Sequence, residues 1–117
     1  MRVKSGMAVV VLHPPDEVEE KLGMPSDVRL IDDPGQADFV LDFATSQAEA
    51  EERLSALAPH LNERTVAWLG YPKGSKAAGY DLSRDTVWKF ARTVGLELVA
   101  NVAIDEKWSA LRFKPVR

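Results

Sequence analysis

The stretch WLGYPKGSK, residues 68–76, brings two glycines and two lysines together directly after an apolar run. A phosphate-binding P-loop has the pattern GxxxxGK[ST], in which consecutive backbone N–H groups surround the phosphate and the lysine reaches it. Here three residues, not four, separate Gly70 from Gly74, and Ser75 stands between Gly74 and Lys76. A proline within the loop also removes one backbone donor. The stretch therefore does not predict a nucleotide-binding P-loop.

The same loop offers a simpler anion site, because it follows an apolar strand and precedes a helix start. Lys73, Ser75 and Lys76 lie in the loop, and Arg84 stands at the beginning of the next predicted helix. Basic side chains near a helix N-terminus can bind an anion. The alternative, which we favour, is that Tyr71 and the proline after it only shape a long connection whose lysines are solvated. A residue before proline also has a raised chance of forming a cis peptide bond.

Side chains with acid–base or hydrogen-bonding chemistry follow other predicted strands. His13 ends the first apolar run, and histidine is a common general acid or base, so a carboxylate such as Asp105 would make it half of an acid–base pair. The simpler interpretation, which we favour, is a strand-end histidine that only makes a hydrogen bond. Asp42 lies within a buried-looking strand and needs a partner, for which we expect a basic residue from a neighbouring strand. Thr45 and Ser46 follow the same strand and complete this group of polar candidates.

Trp108 is the tryptophan that we expect to contact a ligand or a partner, because it opens the last predicted strand beside the turn that contains Asp105. The other two tryptophans are expected to be mainly packing residues. The chain has two histidines and no cysteine, and its histidines lack HxH or HxxxH spacing. The sequence therefore predicts no metal site.

Strand and helix patterns explain why the candidate residues should meet. Apolar strand patterns occupy residues 6–13, 27–33, 37–46, 65–71, 96–104 and 108–115. Helix patterns begin near Pro15, run from the capping box of Ser46 and Glu49 to Asn62, and begin again at Asp81 or Ser83. The order β-α-β-β-α-β-α-β-β predicts a three-layer α/β fold, with helices on both faces of a mostly parallel, Rossmann-like sheet that ends in an antiparallel hairpin. Ligands bind beyond the carboxyl ends of parallel strands, so we expect the candidates to converge at that edge.

Length and composition indicate an ordinary globular domain. The chain has 117 residues, of which 45% are hydrophobic and 28% charged, and this predicts one domain over residues 1–117. The longest apolar runs are too short to span a bilayer. The first residues lack the long apolar region and cleavage site of a signal peptide, so a cytoplasmic location is expected.

The net charge of −3 hides an asymmetry between the two halves of the chain. Residues 1–58 carry 5 basic and 12 acidic side chains, whereas residues 59–117 carry 10 basic and 6 acidic ones. The basic half could face a small anionic ligand, the acidic half of the same fold, or a second copy in a homodimer. The acidic total argues against nucleic acid as the partner.

From residue 37 onward the pattern resembles the second half of the Rossmann-type methyltransferase fold. ADFVLDF would be its fourth strand, AEAEERLSALAPHLNERTVAWL the following helix and fifth strand, and GLELVANVAIDEKWSALRFKP the closing hairpin. In that fold the cofactor lies on a glycine-rich turn after the first strand. Here the turn reads LHPPDEVEE, with two prolines, no glycine and several acids. The resemblance therefore implies a lost or altered cofactor site, and no cofactor is expected.

The whole chain is similar to a family of short uncharacterised bacterial proteins. The similarity lies in YPKGS (71–75), DLSRDTVW (81–88) and IDEKWSALRFKP (104–115), and it implies no established activity. Two functions stay open. The first, which we favour, is a non-catalytic binding or interaction domain. The second is an enzyme or sensor for a small anionic ligand, with Lys73, Lys76 and Arg84 holding the ligand and His13 transferring a proton.

Overall fold

A computed structural model describes residues 6–13, 29–61, 64–72, 81–104 and 106–116. Its strands are β1 (Ala8–Leu12), β2 (Arg29–Leu30), β3 (Phe39–Phe43), β4 (Val66–Pro72), β5 (Leu96–Ala103) and β6 (Trp108–Pro115). Its α-helices are α1 (Gln47–Leu57) and α2 (Arg84–Thr93), and two 3₁₀ turns occupy Pro34–Gln36 and Ala58–His60. The helix predicted to begin near Pro15 lies outside the described residues.

The six strands form one sheet in the order β2-β1-β3-β4-β6-β5. Strands β2, β1, β3 and β4 pair in parallel, and β6 pairs antiparallel with both β4 and β5. This confirms the predicted mixed α/β fold with a mostly parallel sheet and an antiparallel C-terminal hairpin. The sequence analysis did not specify that β6 lies between β4 and β5. As a result, the first residue of β6, Trp108, pairs with Pro72 at the carboxyl ends of the parallel strands.

The two described helices pack together on one face of the sheet. Ala50 and Leu54 of α1 and Val87 and Ala91 of α2 belong to one buried cluster with residues of β4 and β6. The opposite face carries a second buried cluster, which contains Val9, Phe39, Leu41, Phe43, Trp68, Trp108 and Ala110. Neither described α-helix contributes to this second cluster, and the helix predicted to begin near Pro15 lies outside the described residues.

Local signals set the helix ends. The Ser46 hydroxyl accepts a hydrogen bond from the Glu49 N–H at 3.1 Å, as the capping-box pattern predicts. The Glu49 carboxylate, however, binds the residue before the cap, Thr45, and not Ser46 itself. Ser83 caps α2, and Thr86 completes its capping box. Gly95 ends α2 with a φ of +79°, a conformation that glycine adopts without steric cost.

Gly70 of β4 leaves room for the ring of Phe43 on the adjacent strand β3. A Cβ at this position would lie 2.6 Å from two ring carbons of Phe43. We therefore expect Gly70→Ala to lower the free energy of unfolding by about 1–3 kcal/mol, as overpacking of a buried site does. Urea denaturation measures this. The cost should fall when Phe43→Leu is added, because the two changes share one contact; an equal cost in both backgrounds would contradict the contact.

Candidate functional site

His13 directly follows β1 and reaches across to β3. Its φ of +54° lies in the left-handed region, which few residues other than glycine adopt and which often marks a functional constraint. The Nδ1 atom of its ring lies 2.8 Å from Oδ1 of Asp42. The pairing follows from the parallel register, in which Leu12 is opposite Asp42. His13 therefore makes a strand-end hydrogen bond to a carboxylate, which both predicted roles require, and that carboxylate is Asp42. Asp105 lies outside the described residues.

Asp42 is the buried centre of this arrangement, with only 2% of its surface exposed. Its Oδ1 also accepts a hydrogen bond from the Phe43 N–H at 2.8 Å and lies 3.5 Å from Nε of Arg53. The prediction that Asp42 is paired is confirmed, but the charged partner, Arg53, comes from helix α1. Burial raises the pKa of Asp42, and the hydrogen bonds from His13 and Phe43 and the nearby charges oppose this increase.

Arg53 lies against the backbone of β3 as well as against Asp42. Its Nε–H donates to the Phe43 carbonyl at 3.2 Å, and its Nη1 donates to Glu52 at 3.1 Å. The guanidinium, 12% exposed as a side chain, is therefore flanked by two carboxylates. This fixes its position and offsets its charge.

A cavity of about 300 Å³ opens beside this cluster at the carboxyl ends of β1 and β3. Its lining residues are His13, Phe43, Ala44, Thr45, Glu49, Arg53 and Trp108. The rings of Phe43 and Trp108 meet edge to face, with centroids 5.6 Å apart and planes at 85°. The cavity therefore combines an aromatic wall with three ionisable side chains, which is the usual composition of a small-molecule site.

Thr45 and Glu49 form a local hydrogen-bonded pair at the start of α1. The backbone N–H and the hydroxyl of Thr45 both donate to Oε1 of Glu49, each at 2.9 Å. These bonds stabilise the ionised carboxylate and lower the pKa of Glu49.

The lowered pKa of Glu49 predicts a loss of stability in acid. Because the folded-state pKa is below the ordinary value of 4.5, the contribution is present above pH 4.5 and is lost as the pH falls through the folded-state pKa. Glu49→Gln keeps an oxygen for Thr45, but its side chain does not titrate. As the pH falls below 4.5, its free energy of unfolding should therefore decrease less than that of the wild type. Urea denaturation at a series of pH values tests this, with Glu51→Gln as the control for losing an α1 carboxylate. Parallel pH profiles for the wild type and Glu49→Gln would refute it.

The structure brings together some of the sequence-predicted residues. His13, Thr45 and Trp108 line the cavity. Three other predicted residues, Ser46, Tyr71 and Arg84, are not among the lining residues. Ser46 caps α1, and Tyr71 belongs to the buried cluster beneath the helices. Arg84 is the first residue of α2 and is exposed. Lys73, Ser75, Lys76 and Asp105 lie outside the described residues. The bond between Tyr71 and the following proline is trans.

The sequence-predicted residues do not include four of the lining residues, Phe43, Ala44, Glu49 and Arg53. One signal was available for Arg53, which stands three residues after Ala50 and four before Leu57, both on the buried side of α1. Helical spacing therefore directs its guanidinium toward the sheet.

Two negative findings apply to the described residues alone. Within them, no three His, Cys, Asp or Glu side chains are grouped so that they could hold a metal ion. No helix in the same part of the chain is long and apolar enough to cross a membrane.

Comparison with solved structures relates this fold to methyltransferases. A TehB-like S-adenosylmethionine-dependent methyltransferase from Corynebacterium glutamicum matches with a TM-score of 0.58 and 12% identity, over 97% of this chain and 82% of that one. A S-adenosylmethionine-dependent methyltransferase from Clostridium acetobutylicum gives a TM-score of 0.59 and 9% identity, over 94% and 84%. The O-methyltransferase NcsB1 from neocarzinostatin biosynthesis gives 0.62 and 15%, over 96% of this chain and 42% of that one.

At these identities the likeness establishes the fold alone. The chain has a Rossmann-like, methyltransferase-like fold. No protein-family model and no curated protein matches the chain. Membership of a family of short uncharacterised bacterial proteins therefore stays a prediction.

The end of β1 does not fit S-adenosylmethionine in the way that a glycine-rich turn does. A glycine at this point leaves the backbone open to close approach by a cofactor. Here the residue is His13, whose imidazole extends across the edge of the sheet to Asp42. A side chain therefore lies across the edge of the sheet at the end of β1. The residues of the turn after His13 lie outside the described residues.

Proposed function

We propose that this chain is a small-molecule-binding domain that has the methyltransferase-like fold and does not transfer methyl groups. The observation that carries the proposal is the cavity at the carboxyl ends of β1 and β3, beside the His13–Asp42–Arg53 cluster. In open α/β sheets this is the edge at which ligands bind. The histidine at the end of β1 and the glycine-free sequence after it support binding without S-adenosylmethionine.

The cluster itself supports a binding role. Burying a charge is costly even when the charge is paired, and buried ionisable groups of this kind are concentrated at functional sites. Asp42 is removed from water, which disfavours its ionised form. Three groups from β1, β3 and α1 surround its Oδ1. Such a cluster holds His13 in a strained backbone conformation at the cavity wall. A ligand can reach its imidazole there, because 53% of the His13 side chain is exposed.

A second candidate is an enzyme or sensor that acts on a small anionic ligand at the same edge. It is favoured by the pair of His13 and Asp42, because a carboxylate orients the imidazole of many general bases. Charge disfavours it, since Asp42 and Glu49 give this part of the site two carboxylates against the single guanidinium of Arg53. We therefore rank it second.

Self-association also stays a prediction, which sedimentation equilibrium would check.

A thermal-shift screen of a fragment library, S-adenosylmethionine and nucleotides tests the proposed function. A ligand at about 100 times its dissociation constant stabilises the folded state by about 2.7 kcal/mol. We expect hits among the fragments and none with S-adenosylmethionine. Thr45→Trp, which places a large ring at the cavity, should abolish the hits, whereas Thr93→Trp on the exposed side of α2 should keep them. Hits that persist in Thr45→Trp would refute this site, and methyl transfer from S-adenosylmethionine would refute the function.

A further inference from the structure

Of the hydrogen-bond donors around the cavity, both of Thr45 and two of the five N–H groups of Arg53 are used within the protein. Both donors of Thr45 point to one oxygen of Glu49. Nε of Arg53 donates to the Phe43 carbonyl, and its Nη1 donates to Glu52. A ligand that needs donors, such as a carboxylate or a phosphate, would have to compete with these bonds or use the remaining N–H groups of Arg53.

The acceptors around the cavity are in excess. A carboxylate offers about four lone-pair sites, and the two bonds from Thr45 use only Oε1 of Glu49. In the neutral tautomer that donates from Nδ1 to Asp42, the Nε2 of His13 would be a second acceptor on the far side of the ring. The cavity thus presents acceptors to a ligand that carries donors.

The charges point in the same direction. Among the described lining residues, Arg53 has the permanent positive charge. Its guanidinium lies close to the carboxylates of Asp42 and Glu52. Glu49 is the lining carboxylate, and its bonds from Thr45 come from neutral groups. Arg53 also acts on this charge through space, so a cationic ligand would share the carboxylate with it.

The apolar wall suits an organic cation better than a hydrated metal ion. Phe43 and Trp108 form one side of the cavity, and aromatic rings attract ammonium groups and pack against the hydrocarbon that carries them. The volume, about 300 Å³, is at the small end of the range for ligand cavities.

From these four observations we propose that the cavity binds a small organic ammonium compound, with its N–H groups at Glu49 and His13 and its apolar part against Phe43 and Trp108. This inference rests on the proposed binding function and names the class of ligand. It requires no covalent step.

Three probes of similar size and different charge test the ligand class: benzylammonium, benzyl alcohol and benzoate. Each is titrated into ¹⁵N-labelled full-length protein, and the indole N–H signal of Trp108, assigned with a Trp108→Phe variant, reports binding at the cavity. We expect benzylammonium to bind about tenfold or more tightly than benzyl alcohol, the difference that one charge-assisted hydrogen bond makes. Benzoate should bind most weakly.

Two glutamates of α1 provide a matched pair of variants. Glu49 and Glu51 each accept a hydrogen bond from the side chain four residues earlier, and only Glu49 lines the cavity. Glutamine at either position keeps an acceptor oxygen and removes the charge. Glu49→Gln should reduce the preference for benzylammonium over benzyl alcohol about tenfold, and Glu51→Gln should leave the preference unchanged.

The outcomes separate this inference from the proposed function. Equal binding of benzylammonium and benzyl alcohol, tighter binding of benzoate, or an unchanged preference in Glu49→Gln would overturn the ligand class and leave the cavity as a binding site. If the three probes fail and other fragments shift the Trp108 signal, the ligand class is again overturned alone. If no fragment shifts it, both proposals fail.

Discussion

Asp42→Ala is expected to lower the free energy of unfolding by about 3 kcal/mol, because it removes the buried one of the two carboxylates that pair with Arg53. The substitution removes the acceptor for the Phe43 N–H and the carboxylate beside Arg53 in a region where Asp42 is 2% exposed. The value is at the low end of the usual range because Glu52 still pairs with Arg53. Urea denaturation followed by circular dichroism measures the loss.

Two further variants separate charge from hydrogen bonding at Asp42. Asp42→Asn keeps an oxygen for His13 and for the Phe43 N–H, so we expect it to lose less stability than Asp42→Ala. Asp42→Leu combined with Arg53→Met removes both charges together and should recover part of the loss. A free energy of unfolding within about 0.5 kcal/mol of the wild type for Asp42→Ala, the range of ordinary surface changes, would contradict the central position of this carboxylate.

Trp108→Ala is expected to cost about 3–5 kcal/mol, the usual range for truncating a buried aromatic side chain. Trp108 is 8% exposed and meets the ring of Phe43 edge to face. Its loss removes this contact and the aromatic wall of the cavity in one step. The measurement is urea denaturation followed by far-ultraviolet circular dichroism, which does not depend on tryptophan fluorescence.

Trp88 provides the matched control for Trp108. It is 38% exposed on α2, where the guanidinium of Arg92 lies 5.8 Å from its ring centroid. Trp88→Ala should therefore cost about 1 kcal/mol or less. Equal losses for the two alanine variants would mean that Trp108 is not part of a packed wall.

The sequence predicted the described elements well where the local signal is strong, but of the strand predicted over 27–33 the structure gives only Arg29–Leu30, and residues 31–33 are not strand. Continuous apolar runs marked β1, β3 and β4, and the alternating pattern from Trp108 marked β6 with the bounds that the structure gives. The position of β6 between β4 and β5 was not predictable in the same way. A hairpin pattern specifies that two strands pair, but either strand could then lie next to β4.

The site was predictable only where it comes from strand ends. His13 and Thr45 follow parallel strands, and Trp108 begins an antiparallel one, so the topology alone brings them to one edge. Glu49 and Arg53 belong to α1 and reach the cavity because of the direction of their side chains. The rule that ligands bind at strand ends does not predict the direction of helix side chains. The pairing of His13 with Asp42 required the register of β1 against β3, which is a property of the assembled sheet.

The most direct test of this account is a map of ligand contacts on the folded protein. Two-dimensional ¹H–¹⁵N NMR spectra, recorded with the fragments that stabilise the protein, would locate the binding surface residue by residue. The account predicts that the largest shifts fall on His13, on residues 43–45, on Glu49 and on the indole of Trp108. Shifts confined to other surfaces, such as the exposed side of α2, would contradict it, as would the absence of any fragment that binds.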